Sequence, residues 1–339
     1  MKRVAIFLIL AGLSASAKDV QVGVLGLFHA KEVNVSAEQG RPLECGSGST
    51  QRSTGHLWQL QLVRSKMRIT AEGHAQLTDS ITCDDGHGGD AEFRVIVPGR
   101  ISRRYRGKLE IKPAHGELLM IVTMDLETAV ASVVAAESPP NAPMEALKAQ
   151  AVAARSFLMA GGKRHHDFAF CDTTHCQFLR APPDAKSPAV QAANATRGLV
   201  LAYHDEAFPA MYSASCGGRT HTLEELGVRV VDYPYFAVEC AYCRRHPEKW
   251  ATRISEADAE GLTPTEKSRL NLARKLGWKA LPSNSYSTHK DESAVVVEGT
   301  GAGHGLGLCQ RGGADMARHG ALFTEILRHY YPNTELKQM

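Results

Sequence analysis

The chain lacks a surplus of charge of either sign: 39 Lys and Arg against 36 Asp and Glu leave a net +3 over 339 residues. A polyanion is held by a local excess of cations and the counterions they release, so nucleic acid is not an expected partner. Two of the basic residues, Lys2 and Arg3, lie in a segment read below as removed, which brings the remainder closer still to neutrality. Beyond residue 17 the chain also lacks any apolar run near the ~20 residues that cross a bilayer, so no membrane span is expected once that segment is cleaved. There is no internal repeat. With 43% hydrophobic and 22% charged residues the composition is not that of a disordered or fibrous chain, and it suffices for one large core or two ordinary ones. Eight cysteines are many for a soluble chain, yet far from the density of a small disulfide scaffold.

The first seventeen residues speak to the compartment. Lys2 and Arg3 form a positive region, Val4 to Leu13 an apolar run, and Ala15-Ser16-Ala17 a small-x-small cleavage pattern. This is the pattern of a secretory signal peptide, and the apolar run is about half what the alternative, a membrane anchor, requires. The expected location is outside the cytoplasm, in the periplasm or cell wall, where cysteines can pair.

From Lys18 to about Ile121 the chain reads as short strands. Val20 to Leu27, Leu57 to Val63, Lys66 to Thr70, Phe93 to Val97 and Leu109 to Ile111 are apolar or alternating, and Gly, Ser, Asp and Pro clusters separate them. Cys45 and Cys83 are read as lying in polar loops of this region, and in an oxidising compartment a disulfide between them is the simplest reading. The period changes at Asp125. Leu126, Val130, Val133, Val134 and Glu137 share one helical face, and Pro139-Pro140 stops that helix. Pro143 opens a second helix that runs to Gly161-Gly162, with Leu147, Ala151, Ala154 and Leu158 in one stripe and Lys148, Val152 and Arg155 in the next. Further on, a helix is expected at Ala189 to Thr196, strands at Leu199 to Tyr203, Pro209 to Ser213 and Ala294 to Glu298, and a polar helical insertion at Ser255 to Leu276. Helices at Gly312 to His319 and Phe323 to Tyr331 end the chain. The fold class is α+β, a β-rich N-terminal region (18–104) followed by a mixed helix and strand domain (105–335).

Glu137 is the sharpest single feature, because it continues an apolar stripe at a helix end. Desolvation raises a carboxyl pKa until the group can hold a proton near neutral pH, as a general acid must. The competing reading is an ordinary helix-end carboxylate paired with Lys148 or Arg155. His165, His166, Cys171, His175 and Cys176 supply the imidazole and thiolate ligands that zinc prefers, against a small Cys171 to Cys176 disulfide loop. Cys216, in the stretch Tyr212 to Thr220, is either a nucleophile with His221 or His304 as base, which would make the protein a secreted Cys/His peptidase, or a paired structural cysteine. The Cys240-Ala241-Tyr242-Cys243 motif, followed by His246, is of a kind that binds metal or is redox-active; it has no thioredoxin-like surroundings, and structural pairing with Cys216 or Cys309 is the favoured reading. The glycine-rich loop Gly299 to Gln310 lacks the Lys-Ser/Thr of a phosphate loop and presents His304 and Gln310 near a helix start. No organic cofactor is expected.

Taken together, Asp125 to Glu137 and Glu145 to Arg155, followed in order by Tyr212 to Thr220, Gly303-His304-Gly305-Leu306-Gly307 with Gln310, Glu325-Ile326-Leu327 and His329-Tyr330-Tyr331, resemble the SpoIID/LytB domain over about residues 105 to 335. The resemblance implies a bacterial protein acting on peptidoglycan glycan strands. One branch of the family is a lytic transglycosylase for strands stripped of stem peptides, and another is named as an enhancer of a cell-wall amidase. Glu137 matches the catalytic glutamate. Lys148, Gln150, Arg155, Tyr212, Ser213, Ser215, His304 and Gln310 match motif positions that would line the glycan groove, where Lys148 and Arg155 would supply local cations. A structural zinc is implied at His165, Cys171 and Cys176. Cys216 and Cys309 depart from the family pattern, and a disulfide between them would brace the groove. Residues 18 to 104 match nothing recognisable.

Overall fold

A computed structural model describes residues 18–38, 41, 43–47, 50–228 and 233–339, so the signal-peptide reading of residues 1–17 lies outside the described residues. The first half is strand after strand: β1 (Asp19–Val24), β2 (Glu32–Ala37), β3 (Leu43–Ser47), β4 (Thr50–Gly55), β5 (Leu57–Val63), β6 (Lys66–Ala71), β7 (His74–Thr78), β8 (Ile81–Asp84), β9 (Ala91–Val97), β10 (Ile101–Ala114) and β11 (Glu117–Asp125). Then come α1 (Leu126–Glu137), α2 (Met144–Ala160), β12 (Phe170–Cys171), α3 (Pro188–Ala195), β13 (Leu199–Tyr203), β14 (Glu206–Ala207) and β15 (Tyr212–Ser213). The last part comprises α4 (Ala241–Arg245), β16 (Lys249–Ser255), α5 (Glu256–Ala259), α6 (Glu266–Leu276), β17 (Tyr286–Asp291), β18 (Ala294–Thr300), β19 (Leu308–Cys309), α7 (Gln310–Arg318), α8 (Phe323–Tyr330) and β20 (Glu335–Gln338). This is an α+β chain.

Strict alternation makes the N-terminal strands. In β9 every second residue (Ala91, Phe93, Val95, Val97) is buried and those between are only partly covered, the period-2 signature of one face on a core. The main path of the large sheet runs β12-β1-β11-β10-β9-β2-β5-β6-β7, with β8 joining β10 and β3 linking β8 to β4. Cys45 and Cys83 face each other in the β3–β8 register and form the expected disulfide. The expected division at residues 104 and 105 falls inside β10, whose long run pairs with β9 at one end and β11 at the other. One hydrophobic cluster accordingly continues from Trp58 and Phe93 through β11 to α1, α2 and α3.

α1 begins where the Asp125 side chain accepts a hydrogen bond from Thr128 N at 3.0 Å and ends at Glu137, just before Ser138-Pro139-Pro140. α2 is enclosed rather than amphipathic. Leu147 and all of 149–158 are buried, because its alanine-rich faces pack against α1, α3 and β13 on one side and α7 and α8 on the other. Leu147, Ala151, Ala154 and Leu158 belong to the first core, while Ala149, Val152 and Ala153 belong to a second core with Leu308, Ile326 and Tyr331. A polar residue anywhere in that span must find its partner inside the protein.

Arg155 does so. Fully buried, it donates from Nε and Nη2 to the two carboxylate oxygens of Glu127 at 2.9 and 2.6 Å, and its remaining donors reach Ala193 O and Leu199 O at 3.1 and 3.0 Å. The expectation that Arg155 lines a glycan groove is therefore corrected: it clamps α1, α2, α3 and β13 together. Two smaller differences concern length. Only Tyr212 and Ser213 of the expected 209–213 strand pair, with β19, and the expected helical insertion is broken into α5 and α6 beside the three-stranded sheet β16-β18-β17 and its own small core around Leu281 and Val297.

Removing one partner of a buried ion pair leaves an uncompensated charge, typically at a cost of about 3–5 kcal/mol. Arg155→Ala is expected to lose stability of that order in denaturant unfolding, and Arg155→Met with Glu127→Gln to lose clearly less. Equal losses in single and double variants would contradict the clamp.

Candidate active site

Glu137 occupies the last position of α1, half-buried at the edge of the core. Its Oε1 accepts two hydrogen bonds, from Phe178 N at 2.7 Å and from Tyr212 Oη at 3.4 Å. Among the described residues Oε2 accepts no hydrogen bond and the carboxylate has no ion-pair partner. The two cations of the competing reading are both engaged elsewhere: Arg155 with Glu127, and Lys148 with Glu145 at 2.6 Å, over the ring of Phe323. The salt-bridge reading of Glu137 thus gives way to the desolvated one. Burial pushes the Glu137 carboxyl above its ordinary value, and the Phe178 and Tyr212 hydrogen bonds only partly oppose this.

The other residues expected in the groove divide into groups. Tyr212 touches Glu137 directly. Gln150 and Gln310 bond to each other, Nε2 of Gln310 donating to Oε1 of Gln150 at 3.2 Å, and both line a small cavity of ≈ 10 Å³ with Ser138 and Pro139, the residues immediately after Glu137. Nε2 of Gln150 and Oγ of Ser213 are buried without a partner, polar atoms of the kind a ligand or water satisfies. His304 lies on the loop whose Gly303 backs onto the Ser213 side chain. Its Nδ1 accepts from Leu306 N at 3.0 Å, and desolvation pushes it down to about 4, so it is neutral at ordinary pH with its proton on Nε2. Ser215 turns away, toward Cys243 Sγ at 3.5 Å, and Lys148 is held at the start of α8 by Glu145 and Phe323. The glycine density around His304 has a backbone cause: Gly301, Gly303, Gly305 and Gly307 all have positive φ, and a Cβ on Gly307 would sit 2.2 Å from Met211 O.

His165, Cys171 and Cys176 converge as expected, and His175 joins them. Nε2 of His165 lies 3.3 Å from Cys176 Sγ, and Nδ1 of His175 lies 3.8 and 3.6 Å from the two sulfurs. All four ligand atoms lie within 4.8 Å of one another, both cysteines are free thiols, and the donor set is one zinc accepts. The loop is anchored from below, since β12 pairs with β1 and buried Asp172 accepts from Leu25 N and Arg103 Nη1. Two residues past Cys176 comes Phe178, whose N–H rests on Glu137.

Cys216 and Cys309 are not disulfide-bonded to each other or to the Cys240/Cys243 pair. All four are buried free thiols whose sulfurs gather within 4.8 Å. Cys216 and Cys309 are both buried, and among the described residues neither sulfur has a histidine bonded to it. A cavity of ≈ 400 Å³ opens beside Asp125 and Thr128 at the opposite end of α1, and Glu137 is not among the residues that line it.

Residues 114–203, a span that holds Glu137 and the His165 cluster, match the SpoIID family model, described as Stage II sporulation protein. An uncharacterized protein of Brachyspira hyodysenteriae is 28% identical over 68% of this chain and 72% of its own. Stage II sporulation protein D of Bacillus subtilis is 24% identical over 64% of this chain and 76% of its own. The Amidase enhancer of Bacillus subtilis is 23% identical over 59% of this chain, and the match spans only 39% of that larger protein.

Because burial favours the neutral carboxyl, the folded protein keeps the Glu137 proton to higher pH than the unfolded chain does. The residue therefore lowers stability as pH rises from the ordinary carboxylate value of 4.5 through its raised pKa, and not below that value. Glu137→Gln, which preserves the Oε1 acceptor, is expected to melt above the parent at neutral pH, with the difference vanishing at acid pH. A variant that melts lower at neutral pH would mean that the charged form is favoured in the fold.

Proposed function

We propose that the chain, whose residues 114–203 match the SpoIID family model, is an exported peptidoglycan lytic transglycosylase that cleaves denuded glycan strands with Glu137 as general acid and then base. The observation that carries the reading is a half-buried carboxyl group without a cation, held through one oxygen by Phe178 N and Tyr212 Oη. Those two bonds orient the group and leave Oε2 to carry the proton. Protonated Glu137 donates to the glycosidic oxygen as the bond from C1 to that oxygen breaks. The carboxylate then takes the proton of the sugar's own C6 hydroxyl as O6 bonds to C1, which closes a 1,6-anhydro ring and returns Glu137 to its starting state. No water is consumed. Because the nucleophile is part of the substrate, a second carboxylate to activate water is not required.

The partners this assigns are uncharged or weakly charged sugars, consistent with a site whose neighbouring cations are neutralised by Glu127 and Glu145. Neutral His304, the Gln150–Gln310 pair and Ser213 offer hydrogen bonds rather than charge. Zinc held by His165, Cys171, His175 and Cys176 would be closed by four protein ligands and structural in role, holding the turn that brings Phe178 N onto Glu137.

The relative named Amidase enhancer supports a second reading, in which the chain binds the wall and stimulates an amidase without cutting glycan. One experiment separates the two. Purified protein incubated with denuded glycan strands is expected to release 1,6-anhydro-ended products, and Glu137→Gln to reduce the rate at least about 100-fold, the lower end of what a general acid contributes. Unchanged product from that variant would contradict the assignment. No cleavage by the parent, together with amidase stimulation that survives in Glu137→Gln, would establish the enhancer reading.

A further inference from the structure

Four cysteines separated by up to 93 residues in sequence meet in one place that the glycan chemistry does not use. Cys216 follows β15, Cys240 and Cys243 begin and close the first turn of α4, and Cys309 ends β19 as the N-cap of α7. All are buried, with relative exposures of 2, 1, 1 and 0%. Every pair of sulfurs lies within 4.8 Å, and Cys243 and Cys309 are 3.5 Å apart. That is well beyond the ~2.05 Å of a disulfide, a bond that Cys45 and Cys83 do form in this same structure. It is close to the ~3.8 Å edge of a tetrahedron of sulfurs around zinc at ~2.3 Å.

The surroundings suit thiolates. Backbone N–H groups of Cys216 and Gly312 both donate to Cys309 Sγ at 3.4 Å, Tyr330 Oη lies 3.4 Å from Cys240 Sγ, and Ser215 Oγ lies 3.5 Å from Cys243 Sγ. Hydrogen bonds of this kind to sulfur orient and tune ligands in metal–thiolate sites. Space is reserved as well: a Cβ on Gly312 would lie 2.5 Å from Cys240 Sγ and 2.0 Å from Tyr330 Oη, so only glycine fits beside the cluster. A closed set of four cysteines with a Cys-x-x-Cys half is a donor set for structural zinc.

We propose that Cys216, Cys240, Cys243 and Cys309 form a second metal site, a closed tetrahedral zinc centre separate from the His165 cluster. Its place in the fold gives it a purpose. Cys309 is the register partner of Ser213 in the β15–β19 pair, and Tyr212, which bonds Glu137, is the residue next to it. The zinc therefore staples the short two-stranded pair, α4 and the start of α7 behind the Tyr212 side of the site. This inference stands whether or not the chain cleaves glycan.

The test uses the full chain, expressed with both zinc and iron supplied and purified without chelator or reductant. In Cys171→Ser/Cys176→Ser, which dismantles the other cluster, elemental analysis is expected to find about one zinc per chain, and X-ray absorption four sulfur neighbours at ~2.3 Å. Denaturing the unsubstituted chain in chelator with an alkylating reagent and no reductant is expected to label Cys216, Cys240, Cys243 and Cys309, while Cys45 and Cys83 remain linked. Recovery of those four residues as disulfide-linked peptides, or iron in place of zinc, would overturn the proposal. The alkylation arm reads the unsubstituted chain and tests for disulfides even if the variant fails to fold; elemental analysis of that same chain then decides the metal, two zinc per chain being expected and fewer than two overturning the proposal.

Discussion

The buried pair between Arg155 and Glu127 is the interaction on which the rest of the site depends. α2 is covered on every side, so its one guanidinium had to be neutralised internally, and the partner is a glutamate on the first turn of α1. That choice fixes how α1 crosses α2, and so where the far end of α1 delivers Glu137. It also uses up a cation. With Arg155 engaged by Glu127 and Lys148 by Glu145, the desolvation of Glu137 is opposed by two hydrogen bonds but by no paired cation, and its carboxyl is pushed upward where an ion pair would have pulled it down.

Two donors then hold Glu137 through the same oxygen, and each is tied to a cluster of thiols. Phe178 N comes from the loop carrying His165, Cys171, His175 and Cys176, and that loop rests on the N-terminal sheet through β12 and Asp172. Tyr212 Oη comes from β15, whose partner strand ends in Cys309. The strands before residue 105, whose purpose composition and motif leave open, are thus the platform for one of the two hydrogen bonds on Glu137.

Local pattern carried much of this into the sequence. The apolar stripe that ends on Glu137, the proline stop after it, the second helix and the Cys45–Cys83 pairing all follow from period, turn residues and compartment, and each is present in the structure. What could not be read is what depends on contacts distant in sequence. A helical wheel places Arg155 beside Lys148 and Val152, but only the packing of α3 and β13 shows that this stripe is as buried as its neighbour. Cys216, Cys240, Cys243 and Cys309 each invite pairing when considered two at a time; their convergence is a property of how α4 and α7 meet beneath β15 and β19. His175 stands among the ligands that the residue types themselves suggest, and only the set implied by the resemblance omits it.

The proposed role of Glu137 requires that it hold a proton at a pH where exposed carboxylates have lost theirs. The most direct measurement is a titration of the Glu137 carboxyl carbon by NMR in labelled protein, assigned by the resonance that disappears in Glu137→Gln. A midpoint above the ordinary 4.5 is the result this account predicts. A midpoint at or below that value would contradict it, because a carboxylate ionised that readily has found a cation or enough hydrogen bonds to keep its charge and has no proton to give.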